Sequence, residues 1–385
     1  MIRKLNQYKY FIFGVDHTNS LGLARSLGEA GIRDIHAIIL STHVPVLLNN
    51  CKYVSQYDIV STPEEGLKLL IKRYSDKTIK HFLFTSSDDI QAILDDNYNS
   101  LSIYYNWGNC GQQGSLQRWF IKENQYLLAK ECGFTIPLTY EVNKGEIPQY
   151  IKYPVITKAV DSLTDGWKSL TYICQNEKEL RSAYSRIPST KVILQEYVDR
   201  VCETKFQSFI YNGQVLKSVP QCFDYEFTST SYGNHHVYKG IENPELLDKA
   251  ELMLNKIGFQ GLFEIEFMKG KNGSLYFLEI NFRNSGVGYF MTSCGVNLPV
   301  LYAVSVINNE LTASDSGRLE KPIQTLKDWS DFQALVRGRR MGLFTWIKTR
   351  FNTADTYLLW NKRDKKPALA FAMNYILKSI SHKLK

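Results

Sequence analysis

Apolar residues along this chain come in short runs separated by polar turns, and the spacing of the runs changes from one third of the chain to the next. The segment YKYFIFGVDHTNSLGLARSLGEAGIRDIHAIIL reads as an apolar strand, a polar turn, a helix from about Leu21 to Ala30, a glycine and a second apolar strand. That is a βαβ unit, in which parallel strands require a crossover helix. A second cycle follows, with EEGLKLLIKRYS as a helix and HFLFTSSDD as a strand ending in an acidic loop, where open parallel sheets gather their ligands. Residues 1 to about 115 are therefore expected to form an open α/β domain. The turn from Gly14 to Gly22 does not spell GxGxxG, and no acidic partner for a ribose follows the second strand, so a nicotinamide dinucleotide site is not expected.

The stretch WGNCGQQGS is rich in glycine and polar residues and suits a boundary, after which QRWFIKENQYLLAKECGF reads as a basic helix closed by a glycine. From there the pattern is mostly strand. YPVITKAV, SLTYIC, KVILQEYV, KFQSFIYNGQVLKSV and LFEIEFMKGKNGSLYFLEINF are separated by turns, of which Asn212-Gly213 and Asn272-Gly273 mark hairpins. Beyond Asn297 the pattern turns helical and ends in a basic tail, with ALAFAMNYILKSI as a last amphipathic helix. The chain thus divides into an α/β domain over 1–115, an antiparallel α+β domain over 116–310 and a helical, basic extension over 311–385.

A length of 385 residues is too great for one ordinary domain. With 44% hydrophobic and 22% charged residues, wholesale disorder is excluded. No run approaches the roughly 18 apolar residues of a membrane span. The opening MIRKLNQYKY lacks the apolar core of a signal peptide, so a cytoplasmic location is expected. The net charge of +8 permits anionic partners without choosing among them, and nucleic acid is not expected to be one. Much of that charge follows Lys321. Arg337, Arg339 and Arg340 with Phe344, Trp346 and Ile347 suit an interfacial segment on a membrane, but the commoner arrangement packs such aromatics on the core and leaves the charges in water. The seven cysteines include no CxxC pair, which argues for reduced thiols over a disulfide framework or a zinc ribbon.

The chemistry concentrates in IEFMKGKNGSLYFLEINFR. Glu279, Asn281 and Arg283 are two apart, so on a strand they leave one face while Leu278, Ile280 and Phe282 take the other. A hairpin brings Glu266 alongside. Two carboxylates and an amide oxygen are hard ligands suited to Mg²⁺, and Arg283 would face metal-bound phosphates. The plainer alternative makes these residues the wet outer face of a sheet.

These residues resemble the ATP-grasp superfamily, whose last metal-binding strand carries E-x-N-x-R and is preceded by an acidic residue on the adjacent strand. The resemblance is ordered along the chain. It implies an α/β and α+β architecture: an N-terminal open α/β (pre-ATP-grasp) domain, a small lid subdomain at about 150–200 and a C-terminal antiparallel-sheet subdomain. It also implies that Lys122, before the helix that leads to GFTIP, and Lys158, closing YPVITK, bind phosphates, with Gly166 in the phosphate flap DSLTDGWKS, which is poorer in glycine than the family pattern. In QEYV, Glu196 would accept from the adenine amino group and Val198 would meet the ring through its backbone, while Glu203 would hold the ribose. The metal ligands would be Glu266, Glu279 and Asn281, and the catalytic residue Arg283. The implied cofactors are ATP and Mg²⁺, with Mn²⁺ as an alternative metal.

The narrower resemblance, carried by DHTNSLGLARSLGEAGI, FTSSDD and WNKRDKKPALA, is to predicted carboxylate-amine ligases related to D-aspartate ligase. It implies an ADP-forming ligase that joins a small carboxylate, free or part of a cell-wall or polysaccharide precursor, to an amine. Two alternatives stay open: another acceptor such as bicarbonate, against which stands the lack of a Met-Lys-Met biotin motif, and a non-catalytic nucleotide binder. Acceptor choice is expected from the first domain, where Ser87, Asp88 and Asp89 could meet an amino group, and from the loop SVPQCFDYEFTSTSYGNHHVYKG. Of His235 and His236 at most one can face the site, since neighbours on an extended chain point opposite ways. Lys217 and Lys239 are either phosphate contacts or plain surface lysines.

Overall fold

The computed structural model describes residues 1–159, 171–226, 233–313 and 319–381. Strands β1 (Tyr10–Val15), β2 (Ile35–Leu40), β3 (Gln56–Val60), β4 (His81–Thr85) and β5 (Tyr105–Asn106) form an all-parallel sheet in the order β3-β2-β1-β4-β5. β1 is a continuous apolar run because both its faces are covered: Tyr10 and Ile12 enter one core and Phe11 and Phe13 another. The strand order reverses at β1 and β4, so the loops that follow these two strands share a crevice at the carboxyl edge of the sheet. The first helix spans Thr18–Glu29 and starts three residues before the predicted Leu21. His17 caps it, its Nδ1 accepting the Asn19 N–H at 3.4 Å, and this polar first turn carries no apolar period to betray it.

Strands β6 (Thr139–Asn143), β7 (Val155–Ala159), β8 (Tyr172–Cys174) and β9 (Lys191–Glu196) build a small antiparallel sheet in the order β6-β9-β7-β8, with a core of its own beneath the helix Glu177–Tyr184. The third sheet holds β10 (Arg200–Tyr211), β11 (Gln214–Val215), β12 (Gln221–Asp224), β13 (His235–Lys239), β14 (Gly261–Gly270), β15 (Leu275–Asn281), β16 (Ile323–Leu326) and β17 (Thr356–Tyr357). Its order is β15-β14-β10-β12-β13-β16-β17, with β11 paired to β10. Asn212 and Gly213, both at positive φ (47° and 76°), form the tight turn between β10 and β11. The extension after residue 310 is thus more than helical: β16 and β17 complete one edge of the central sheet, and strands of four and two residues are too short to show a period.

The first domain is fastened to the rest through the Thr18–Glu29 helix. Ser26 meets Thr292, Asn297 donates to the Ser26 carbonyl, and Tyr289 donates to Glu29. The strongest tie is Arg25, wholly buried, which donates to Asp364 at 3.1 Å and to the carbonyls of Leu358, Leu359 and Asp364. Removing one partner of such a buried pair leaves the other charge without compensation, a cost of about 3–5 kcal/mol. Arg25→Met is therefore expected to lower the thermal unfolding transition clearly, whereas an unchanged transition would show that the extension does not brace the first domain.

Candidate functional site

The central sheet carries a polar face built by register. Lys205 on β10 lies opposite Glu266 on β14, which lies opposite Glu279 on β15; one step along, Gln207, Glu264 and Asn281 form the next row. Directly opposed residues project to the same face, so these six side chains share one surface. Between them stand Phe206, Ile265 and Ile280, buried on the other side.

Three buried charges hold this face together. The Lys205 ammonium sits 3.5 Å from Glu266 and 3.6 Å from Glu264. Burial opposes its charge, but the two carboxylates outweigh burial and hold its pKa above the ordinary lysine value. Glu264 is affected in reverse: burial would raise its pKa, yet Lys205 and the Ser285 hydroxyl, which donates to it, keep it below the usual carboxylate range. At the open end Lys122, the first residue of the helix Lys122–Glu131, forms an ion pair with Glu279. Asn281 donates to Glu279 at 3.4 Å. Arg283 donates to Asn281 at 3.4 Å and to the Asn284 carbonyl at 3.1 Å, and its Nε lies 3.0 Å from Asp88 in the crevice of the first sheet. Burial works against the guanidinium, but Asp88 and Glu264 outweigh it and raise its pKa. Asn19 and Asn284 lock the same junction, each donating to the other residue.

A β-bulge changes one expected orientation. Between Glu266 and Phe267 the register of β15 slips by one residue, so that Glu279 pairs with Glu266 while Phe277 pairs with Phe267. Leu278 is the extra residue. It packs with Val198, Met268 and Tyr276 on the polar side, not with Ile280 and Phe282 as simple alternation predicts. The bulge therefore sets a small apolar cluster beside the carboxylates.

The remaining candidates fall around this cluster or away from it. Lys158, on β7 of the small sheet, lies 3.4 Å from Gln195 and over the Tyr126 ring at 5.8 Å. Glu196 ends β9, exposed, with its carboxylate accepting from the Leu138 N–H. Val198 is buried in the apolar cluster, and Glu203, on the polar face opposite Met268, is ion-paired with Arg200. Gly166 and its whole flap, residues 161–169, lie outside the described residues. His236 is the histidine on the polar face, 3.6 Å from Asp224, but it is fully buried near Phe290; His235 points the other way. Asp88 reaches Arg283, while Ser87 occupies the N-cap position of the Asp88–Asp96 helix. Lys217 pairs with Asp248 and Glu251, and Lys239 with Glu242, as surface lysines do.

Sequence reasoning passed over Glu264, Lys205, Gln207, Met268 and Tyr276. The signal for the first three was present, since FEIEF and KFQ alternate charge with Phe and Ile just as LEIN does. Among the described residues no group of three His, Cys, Asp or Glu side chains could hold a metal ion. Glu266, Glu279 and Asn281 offer three hard oxygen donors on adjacent register positions, which suits a cation that takes its other ligands from phosphate and water.

If Lys205 neutralises Glu264 and Glu266, Lys205→Met should cost about 3–5 kcal/mol near neutral pH in the absence of divalent cations. In the wild type, Glu264 has a lowered pKa, so its contribution is present above the unfolded carboxylate pKa and fades as pH falls through the folded value. Without Lys205, burial instead raises that pKa and penalises the ionised form. The gap in stability between wild type and variant should thus be widest near pH 8 and narrow towards pH 4; a gap independent of pH would contradict this account.

Comparison with known proteins accords with this geometry. Residues 230–327 match the family described as "ATP-grasp in the biosynthetic pathway with Ter operon". The chain is similar to D-aspartate ligase of Enterococcus faecium (strain Aus0004), 23% identical over 319 residues that cover 73% of this chain and 72% of that protein. Among solved structures it resembles N5-carboxyaminoimidazole synthetase from Staphylococcus aureus (TM-score 0.63, 16% identity, 86% of this chain and 87% of the other). It also resembles L-amino acid ligase from Bacillus licheniformis (TM-score 0.61, 13% identity, 82% and 80%). With its open parallel sheet, small antiparallel sheet and carboxylate-bearing central sheet, this chain has the ATP-grasp fold, and its residues 230–327 match an ATP-grasp family.

Proposed function

We propose that this protein is an ADP-forming ligase that uses Mg·ATP to activate a carboxylate as an acyl phosphate and couples it to an amine, giving an amide. The observation that carries this reading is the register that sets Glu266 against Glu279 and Glu264 against Asn281, with Arg283 at the end of the row and Lys122 and Lys205 beside it.

ATP would lie between the small sheet and the central sheet. Val198, Met268, Tyr276 and Leu278 form an apolar bed on which an adenine would lie, where Glu196 would accept from its amino group and Glu203 would meet the ribose. Lys122 and Lys158 approach the phosphates from the helix and the small sheet respectively. Glu266, Glu279 and Asn281 would hold Mg²⁺, which would offset the negative charge of the phosphates. Phosphoryl transfer depends mainly on positioning and charge neutralisation, and these side chains supply both. A carboxylate oxygen attacks the γ-phosphorus as the bond to the ADP oxygen breaks. The amine then attacks the acyl carbon, the C–O bond to phosphate breaks, and the amine loses a proton to solvent or phosphate. Arg283, turned towards the reacting end by Asp88, would stabilise the acyl phosphate and the oxyanion that forms on it.

The test is release of ADP and phosphate from Mg·ATP across a panel of carboxylates and amines. One productive pair should release ADP and amide in equal amounts. Glu279→Gln and Arg283→Ala should each lower kcat by about 10²- to 10³-fold. ADP release that survives both substitutions would be a contaminant's, and no turnover with any pair would overturn the ligase reading. Asp88→Asn should lower kcat about 10-fold, with the KM for ATP within about twofold, because it loosens Arg283 and touches no nucleotide. An unchanged kcat would remove Asp88 from the site.

A further inference from the structure

The last helix of the chain, Lys366–Ser381, is apolar on two opposite sides. Ala368, Phe371 and Tyr375 share one side and face the fold: Ala368 is buried, and the Trp329 ring meets Phe371 at 5.2 Å and Tyr375 at 4.9 Å. At about 100° per residue the opposite side carries Leu369, Met373, Ile376 and Leu377, spaced i, i+4, i+7 and i+8 within an arc of about 100°. These four are between 57% and 62% exposed. A lone exposed leucine is common on a protein surface, but four apolar side chains on one helical face form a contiguous patch, which marks a docking surface. At 16 residues the helix is too short to cross a bilayer.

Charge decides the partner. From Lys365 to Ser381 the sequence has three lysines, Lys365, Lys366 and Lys378, and no Asp or Glu. All three are exposed, two at the end nearest Leu369 and one just after Leu377. A second basic stretch is tied to this helix by Arg337, whose guanidinium lies 4.8 Å above the Tyr375 ring. Arg339 and Arg340 follow it, exposed, and from Gln333 to Thr353 the chain again has no acidic residue. Arg350 in that stretch is engaged by Glu226 and Asp331, whereas Arg339, Arg340 and Lys348 make no ion pair among the described residues. Trp346 packs inward against Phe332 and donates to the buried Asp331, as the commoner arrangement has it, yet Phe344 beside it is 87% exposed.

A second copy of the chain on this face would set cation against cation, because a two-fold contact places the same patch on both sides. A bilayer with anionic headgroups supplies what the face lacks: negative charge at the tips of the lysines and arginines, and an apolar layer just beneath for the side chains between them. We propose that the stripe Leu369, Met373, Ile376 and Leu377, with Lys365, Lys366, Arg339 and Arg340 as its cations, docks this chain on an anionic lipid bilayer. The helix lies in the plane of the surface, its inner side still packed on Trp329 and its outer side at the boundary between headgroups and acyl chains.

Flotation of the full chain with two sets of vesicles tests the surface, one set of phosphatidylcholine alone and one an equal mixture with phosphatidylglycerol. Binding to the mixed vesicles is expected, with little to phosphatidylcholine alone. Raising the salt to about 1 M, where charges are screened within about 3 Å, should weaken it. Met373→Glu with Leu377→Glu should weaken binding by about 10-fold or more and leave the thermal unfolding transition nearly unchanged, because both side chains lie mostly in water. Arg339→Gln with Arg340→Gln should weaken it by about 25-fold, since each cation beside an anionic surface strengthens binding roughly fivefold. No binding to the mixed vesicles overturns the bilayer in favour of an acidic protein partner. Equal binding to both sets, or binding that survives the helix substitutions, overturns it as well. So does a dimer, seen by sedimentation velocity without lipid, that the same substitutions disperse, for then a second copy covers the face. None of these readouts needs turnover, so failure of the ligase reading would leave the result standing.

Discussion

Burying like charges side by side is costly, and the candidate site is organised around the ion that offsets this cost. Glu264 and Glu266 stand two residues apart on β14, both nearly sealed from solvent, and Lys205 reaches between them from β10. Two carboxylates this close would otherwise push each other towards the protonated form. The lysine holds the pKa of Glu264 below the usual carboxylate range. The pairing of β10 with β14 is therefore an electrostatic requirement as well as a hydrogen-bond ladder, and a one-residue slip would send all three groups into the apolar core on the other face.

The bulge at Leu278 solves a second problem on the same strand. A nucleotide needs an apolar surface for its base and a charged one for its phosphates, and strict alternation on one face of β15 gives a single repeating character. The extra residue lets Leu278 and Glu279 serve the same side of the sheet in succession. An apolar bed and a charged row thus meet within one strand, with the boundary fixed by the backbone and not by flexible side chains.

Much of this was legible because it rests on local period. The parallel domain, the hairpins at Asn212-Gly213 and Asn272-Gly273, and the projection of Glu279 and Asn281 from one strand all follow from alternation and turn chemistry, and the structure has each of them; Arg283, expected on the same strand, lies just past its end at Asn281. What escaped depends on pairs distant in sequence. Lys205 and Glu264 carried the right alternation but look like ordinary strand residues until β10 is laid against β14. The orientation of Leu278 was misread because a bulge leaves no mark in the residue pattern. The strands after residue 310 were hidden by their brevity. Arg25 reads as one more cation on a helix, and only the fold reveals Asp364 some 339 residues away.

The same long-range logic explains why the extension is built into the fold. Arg25 ties the first helix of the α/β domain to the loop after β17, while β16 joins the central sheet next to β13. The crevice at the end of β1 and β4 is thereby walled by three parts of the chain: the first domain, the Arg283–Ser285 turn and the extension. A ligase must bring a second substrate to an acyl phosphate that water would hydrolyse, and a wall assembled from three segments can exclude water while each contributes a different contact. Stability of the junction and the shape of the crevice are in this sense one property of the fold.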